Sequence, residues 1–151
     1  MSTQASRQRL DAPPETVDDD PPVTALMTRD LVGVTPDTPV MTALSLMATR
    51  RVRHLPVLAG RRCLGLVIEL DLVRALAAVP LPLGLAGPLV ADLVRSVGAV
   101  SDTARRSEAA DVMSAGTADA VLVVDREHLL GIVTATDLVR SLSRQVPVEP
   151  R

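Results

Sequence analysis

Gly131-Ile132-Val133-Thr134-Ala135-Thr136-Asp137-Leu138-Val139-Arg140 reads as an apolar strand turning directly into a helix, and it has a double. Gly65-Leu66-Val67-Ile68-Glu69-Leu70-Asp71-Leu72-Val73-Arg74 stands 66 residues earlier. Working outward at that offset, Val23 to Ala78 lies on Leu89 to Arg144 without a gap, with Val34 on Val100, Met47 on Met113, Val57 on Val123, Leu64 on Leu130 and Leu76 on Leu142. The match follows apolar positions through a whole unit. The word Asp-Leu-Val-Arg alone misleads, because Asp92-Leu93-Val94-Arg95 spells it a third time, out of register. A unit of about 55 residues buries little core alone, so two copies are expected to pack across a pseudo-two-fold axis. Such an axis creates two related clefts, the kind of place where ligands bind.

Each unit reads strand, helix, strand, strand, helix, which makes the fold class α/β (α+β), two tandem β-α-β-β-α repeats. In the first, Val23 to Thr28 is a lead-in helix and Leu31-Val32-Gly33-Val34 a short strand. Thr38 is the expected N-cap and Pro39 the first residue of a helix running to Arg51. Val40, Ala43, Leu44, Met47 and Ala48 form its apolar face. His54 to Leu58 and Cys63 to Ile68 form a strand pair around the turn Ala59-Gly60-Arg61-Arg62, and a helix runs from Asp71 to Ala78. The second unit predicts a strand at Ala99-Val100, a helix from Ala104 to Ala115, strands Ala120 to Val124 and Leu129 to Val133, and a helix from Thr136 to Arg144. This gives an acidic, mobile tail over 1–22, repeats over 23–78 and 89–144, a Pro- and Gly-containing linker over 79–88, and a tail over 145–151.

Composition narrows the function. The 151 residues are 47% hydrophobic yet contain no Phe, Tyr or Trp, so the core is aliphatic and no aromatic platform exists for stacking bases. A net charge of −2, with 16 arginines and no lysine, also argues against binding a phosphate backbone. No nucleic-acid partner is expected. One cysteine, Cys63, and two histidines, His54 and His128, exclude an intramolecular disulfide and leave no expected zinc site. They also leave no expected catalytic constellation, so the chain is read as not an enzyme and as needing no cofactor. Residues 1–20 lack the apolar stretch of a signal peptide, and Ala75 to Ala91 is broken by Pro80, Pro82, Pro88, Gly84 and Gly87. A cytoplasmic location away from membranes is the expectation.

The element order, with Arg53-His54-Leu55-Pro56-Val57 on a middle strand and Gly131-Ile132-Val133-Thr134-Ala135-Thr136-Asp137-Leu138 at the last corner, resembles paired CBS domains, the Bateman module. The resemblance covers residues 23–144. It implies a flat two-repeat disc that senses adenine nucleotides (AMP, ADP or ATP) or S-adenosylmethionine in its clefts and associates as a homodimer. The aliphatic faces of Val40 to Arg51 and Ala104 to Ala115 suggest the same association.

The chemistry of the corner points the same way. A carboxylate at a helix start accepts ribose hydroxyl protons, and nearby hydroxyls donate to phosphate or sugar oxygens. The second repeat has Thr134, Thr136 and Asp137; the first has Ile68, Leu70 and Asp71, keeping only the carboxylate. In the family each cleft joins the corner of one repeat to the first and second strands of the other. The resemblance therefore sets Asp137 against Thr35, Pro36, Val52, Arg53, His54, Leu55 and Pro56, with Arg53 or His54 meeting phosphate and the Leu55-Pro56 backbone reading adenine. The opposite cleft, with Asp71, Ser101 and Ala120, is expected to be degenerate, which leaves one ligand per chain. Plainer roles also fit these residues: helix caps for Asp71 and Asp137, strand ends for Thr134 and Thr136, a packed strand residue for His54, a solvated face for most of Arg50, Arg51, Arg53, Arg61 and Arg62. A disc of the same fold serving only as a structural or dimerisation module is the competing function.

Overall fold

The computed structural model describes residues 19–79 and 87–143. Most of the expected linker and of both tails (1–18, 80–86 and 144–151) lies outside the described residues.

In the first repeat, helices α1 (Val40–Arg50) and α2 (Glu69–Ala77) pack on a hairpin of β1 (His54–Ala59) and β2 (Arg62–Ile68). The second repeat contains β3 (Ala99–Ser101), α3 (Arg106–Ala115), β4 (Ala120–Asp125), β5 (His128–Thr134) and α4 (Ala135–Ser143). The two hairpins share a register: His54 pairs with Ile68 and Ala120 with Thr134, and the bulges after Val57 and Val123 coincide at the 66-residue offset. The fold is α+β.

The first strands differ. In the second repeat β3 pairs parallel with β4, and the Leu122 N–H reaches the Gly98 carbonyl at 3.0 Å. In the first, the expected strand Leu31 to Val34 shrinks to one bridge between Val34 and Val57. The cause is Pro56, which stands where Leu122 stands and has no N–H to continue the ladder. Residues 31 and 32 are thereby released from the sheet. The start of α1 also differs from expectation. Pro39 is the cap residue, its carbonyl accepting the Ala43 N–H at 3.1 Å, while the Thr38 hydroxyl accepts the Thr35 N–H.

The lead-ins are exchanged. Val23 donates its N–H to the Ala104 carbonyl and Val90 to that of Thr38, both at 2.9 Å. Thr28 and Ile132 trade two backbone hydrogen bonds (2.9 and 3.1 Å), as do Arg95 and Leu66 (2.8 and 3.0 Å). Each lead-in therefore closes the core of the other repeat: Val23 is buried with Val100, Val121 and Val133, and Val90 with Val34, Val57 and Val67. Leu66, Ala120, Leu122 and Ile132 fill the seam. Thr38 and Ala104, like Leu66 and Ile132, lie 66 residues apart, but Val23 and Val90, like Thr28 and Arg95, lie 67 apart. The gapless alignment is thus off by one residue before Val34. The buried valines, not the flanking residues, set the register.

The acidic tail also ends earlier than expected, because Asp19 to Pro22 dock on α3. The Asp20 carboxylate accepts the Ser107 N–H at 2.8 Å and the Ser107 hydroxyl at 2.5 Å, and these bonds hold it below the usual carboxylate range. The Arg105 guanidinium donates to the Asp20 carbonyl, that of Arg106 to the Asp19 carbonyl, and the Arg106 N–H to Pro21.

The equivalent glycines Gly65 and Gly131 admit the crossing lead-ins. A Cβ on Gly65 would lie 2.1 Å from the Arg95 carbonyl oxygen, and Gly65 has φ +146°, a value side chains oppose. At Gly131 the nearest atom is the flexible Met27 sulfur at 2.6 Å, with the Thr28 carbonyl at 2.9 Å. Both Gly→Ala variants should unfold at lower temperature than the parent chain, and Gly65→Ala by the larger margin. Thermal unfolding followed by circular dichroism checks the order.

Candidate functional site

Both strand-to-helix corners are built alike. The first helical N–H donates across to the residue before the other strand: Glu69 to the Arg53 carbonyl (3.0 Å) and Ala135 to that of Asp119 (2.8 Å). The side chains at the two corners then diverge.

The second repeat's corner opens into a cleft of about 610 Å³, within the range of small-ligand sites. Val52, Arg53, His54, Leu55 and Pro56 line it from the first repeat, and Thr134, Thr136 and Asp137 from the second. Eight of the ten residues expected from the sequence are therefore brought together. Thr35 and Pro36 do not line it. The Thr35 hydroxyl donates to Asp37, its N–H is bound to Thr38, and the Pro36 carbonyl accepts the Ala91 N–H at 2.9 Å, so this turn anchors the exchanged lead-in. The released residues Leu31 and Val32, with Asp30, take that wall instead.

Asp137 has two jobs available to its two oxygens. Oδ2 accepts the Thr134 N–H (2.9 Å) and the Thr134 hydroxyl (3.0 Å), while the Asp137 N–H reaches the Thr134 hydroxyl oxygen (3.3 Å), a reciprocal cap on α4. Among the described residues Oδ1 accepts no hydrogen bond, and the exposed Thr136 has no side-chain partner. The corner thus leaves one carboxylate oxygen and one hydroxyl for a ligand.

His54 is held differently from expectation. Its Nε2 lies 2.8 Å from Asp119 Oδ1, joining the two repeats; the His54 side chain is 11% exposed, that of Asp119 64%. This bond keeps the Asp119 carboxyl below its usual range. Of the two proposed phosphate contacts, only Arg53 has no side-chain partner among the described residues.

The first repeat's corner is closed by its own chain. Arg95 grips Asp71 with both ends of its fork, Nε to Oδ2 at 2.6 Å and Nη2 to Oδ1 at 2.9 Å, and also reaches the Thr117 carbonyl. Both Asp71 oxygens are consumed. Ser101 bonds within its own turn to Asp102 and Thr103, and Ala120 is buried in the seam. The residue equivalent to Arg95 is Thr28, which lines the open cleft. A long guanidinium in one lead-in and a short hydroxyl in the other decide which corner stays accessible.

Sequence reasoning missed Thr28, Arg140, Arg50 and Arg51, all of which line the open cleft. Arg140 was readable as one turn beyond Asp137 on the same helix face. Arg51 was not: it ends α1 in the left-handed region, φ 55°, where a glycine is expected. Among the described residues no group of His, Cys, Asp and Glu suits a metal, and no helix is long and apolar enough to cross a membrane.

These features define a paired-repeat fold with a cleft between its repeats. The CBS domain family model matches residues 23–78 and 90–144, and the chain belongs to that family. Among curated proteins it is 29% identical over 116 residues to an inosine-5'-monophosphate dehydrogenase of Thermoplasma acidophilum, covering 76% of this chain and 22% of the dehydrogenase. It is 44% identical over 63 residues to a 17.7 kDa protein of Acidianus ambivalens, covering 41% of this chain and 38% of that one. The chain thus spans well under half the length of these relatives. Among solved structures, CBSX2 in complex with AMP superposes with a TM-score of 0.66 at 27% identity, over 82% of this chain and 96% of that one. An uncharacterized conserved protein from Pyrococcus horikoshii gives 0.71 at 23% identity, over 85% and 96%, a likeness of fold.

Because the Arg95 side chain remains 38% exposed, its pair with Asp71 is partly screened by water. A double-mutant cycle of Arg95→Gln and Asp71→Asn should give a coupling of about 1 kcal/mol that shrinks with salt. The depressed Asp119 carboxyl contributes stability that is full at neutral pH and lost as pH falls through its folded value. His54→Ala should remove that part of the acid dependence, as pH-dependent urea unfolding will read.

Proposed function

We propose that this chain is a regulatory module that binds one adenine nucleotide in the cleft built on Thr134, Thr136 and Asp137. The observation that carries the proposal is the difference between the corners: Asp137 keeps Oδ1 open into a 610 Å³ cleft, while Asp71 has both oxygens bound by Arg95. Open carboxylate and hydroxyl groups at a helix start suit ribose hydroxyls, and the aliphatic wall of Leu31, Val32, Val52 and Ile132 suits an adenine ring. The AMP complex of CBSX2 supports the same ligand class. Thr35 and Pro36 are left out of the site, and His54 acts in it as a wall fixed by Asp119. Catalysis is not part of the proposal, since paired CBS domains are typically regulatory. A ligand regulates only if it binds one arrangement of the module more tightly than another.

The module acts as a homodimer in this reading, by a route other than the one expected. The faces of α1 and α3 are turned inward, with Val40, Ala43, Met47 and Ala109 buried. Four of the eight exposed large apolar side chains among the described residues lie instead on the last helix of each repeat, Leu70 and Val73 on α2 and Val139 and Leu142 on α4, with Val73 and Val139 at equivalent positions. Sedimentation should give a dimer at micromolar concentration, and Val73→Glu with Val139→Glu a monomer; a parent chain that sediments as monomer contradicts the dimer.

Asp137→Asn preserves an oxygen for the Thr134 cap but replaces the open Oδ1 with an amide that donates. It should weaken AMP or ATP binding by roughly 1–3 kcal/mol, about tenfold to a hundredfold, with little change in melting temperature. Calorimetric titration checks this. Unchanged affinity would place the ligand elsewhere; no binding by the parent chain would favour the structural module.

A further inference from the structure

We infer that the open cleft is built for a nucleoside di- or triphosphate, in preference to a monophosphate or S-adenosylmethionine; this rests on the reading above that adenosine lies against Asp137. Four arginines line the cleft from both repeats: Arg50 and Arg51 at the end of α1, Arg53 just before β1, and Arg140 one turn beyond Asp137 on α4. None of the four side chains makes a hydrogen bond or ion pair among the described residues. With Asp137 turned to the sugar, the one other carboxylate on the lining is Asp30. The phosphate end therefore faces a formal surplus of three positive charges in a chain whose total is −2.

A single phosphate carries about two negative charges and three terminal oxygens, too few for four guanidinium forks on facing walls. A phosphate chain adds both charge and reach. S-adenosylmethionine has a sulfonium and an ammonium against one carboxylate, so its net positive charge is repelled by the same surplus. At the closed corner three of these four charges are gone, Arg50, Arg51 and Arg53 being replaced by Gly116, Thr117 and Asp119, while Arg140 keeps a counterpart in Arg74.

Arg51 adds an independent sign. It adopts φ 55°, a conformation that disfavours residues with a Cβ, whereas α3 ends one position earlier, at Gly116, with φ −96°. A strained arginine at the mouth of a cleft is a departure from local preference at a site of use.

The test is calorimetric titration of the full chain with adenosine, AMP, ADP, ATP and S-adenosylmethionine at fixed salt, repeated with Arg140→Gln and Arg51→Gly. ATP should bind at least tenfold tighter than AMP, with S-adenosylmethionine the weakest of the charged ligands. Arg140→Gln should weaken ATP about tenfold and leave adenosine within about twofold. Arg51→Gly, which relieves the backbone, should melt no lower than the parent chain and still lose ATP affinity, so misfolding is not the cause. AMP binding as tightly as ATP, S-adenosylmethionine binding as tightly as ATP, or an ATP-to-AMP ratio unchanged in both variants overturns the inference and leaves the adenosine reading standing. If adenosine and all its phosphates fail to bind, the adenosine reading falls and takes this inference with it.

Discussion

The reciprocal crossing of the two lead-ins is the constraint on which the rest depends. Four backbone hydrogen bonds, two between Thr28 and Ile132 and two between Arg95 and Leu66, place each lead-in on the sheet of the other repeat. Neither repeat completes its core alone, since Val23 and Val90 are each buried in the partner repeat. The crossing also requires Gly65 and Gly131 where the chains approach, and it fixes residues 28 and 95 at the mouths of the two clefts. The identity of those two residues then decides access: threonine leaves its corner open, and arginine fills its corner.

A second asymmetry comes from one missing N–H. Pro56 ends the parallel pairing that Leu122 continues in the second repeat, so Leu31 and Val32 leave the sheet and become a wall of the open cleft. Together, Pro56 and Arg95 give a nearly symmetric frame one accessible cleft and one that satisfies itself. The aliphatic composition suits this frame, because Val, Leu, Ile and Ala fill a thin seam such as Leu66, Ala120, Leu122 and Ile132 without large rings.

Much of this was legible in the sequence because it is local. The repeat, the apolar spacing of α1, both hairpins and the corner Thr134-Ala135-Thr136-Asp137 all follow from patterns a few residues long. Half of the residues that line the open cleft, Val52 to Pro56 with Thr134, Thr136 and Asp137, were legible too, through the family order. What was not legible depends on contacts between distant segments. Arg95 meets Asp71 only because the lead-ins cross, and the one-residue shift before Val34 is set by which valine is buried. Thr35 and Pro36 were misplaced because their turn's own hydrogen bonds, and its grip on the opposite lead-in, outweigh its closeness in sequence to the cleft. Arg51 was read as part of a solvated face because the left-handed backbone that ends α1 there carries no side-chain signal.

The claim that organises these observations is that one corner is open and the other closed by the chain itself. Backbone amide NMR during a nucleotide titration reads both corners at once, under conditions where the fold is intact. The account predicts that the amides of Thr134, Thr136 and Asp137 shift and saturate together with those of Val52 and Arg53, while those of Ile68, Leu70 and Asp71 stay in place. Equal, saturating shifts at both corners, or shifts confined to Ile68, Leu70 and Asp71, would contradict it.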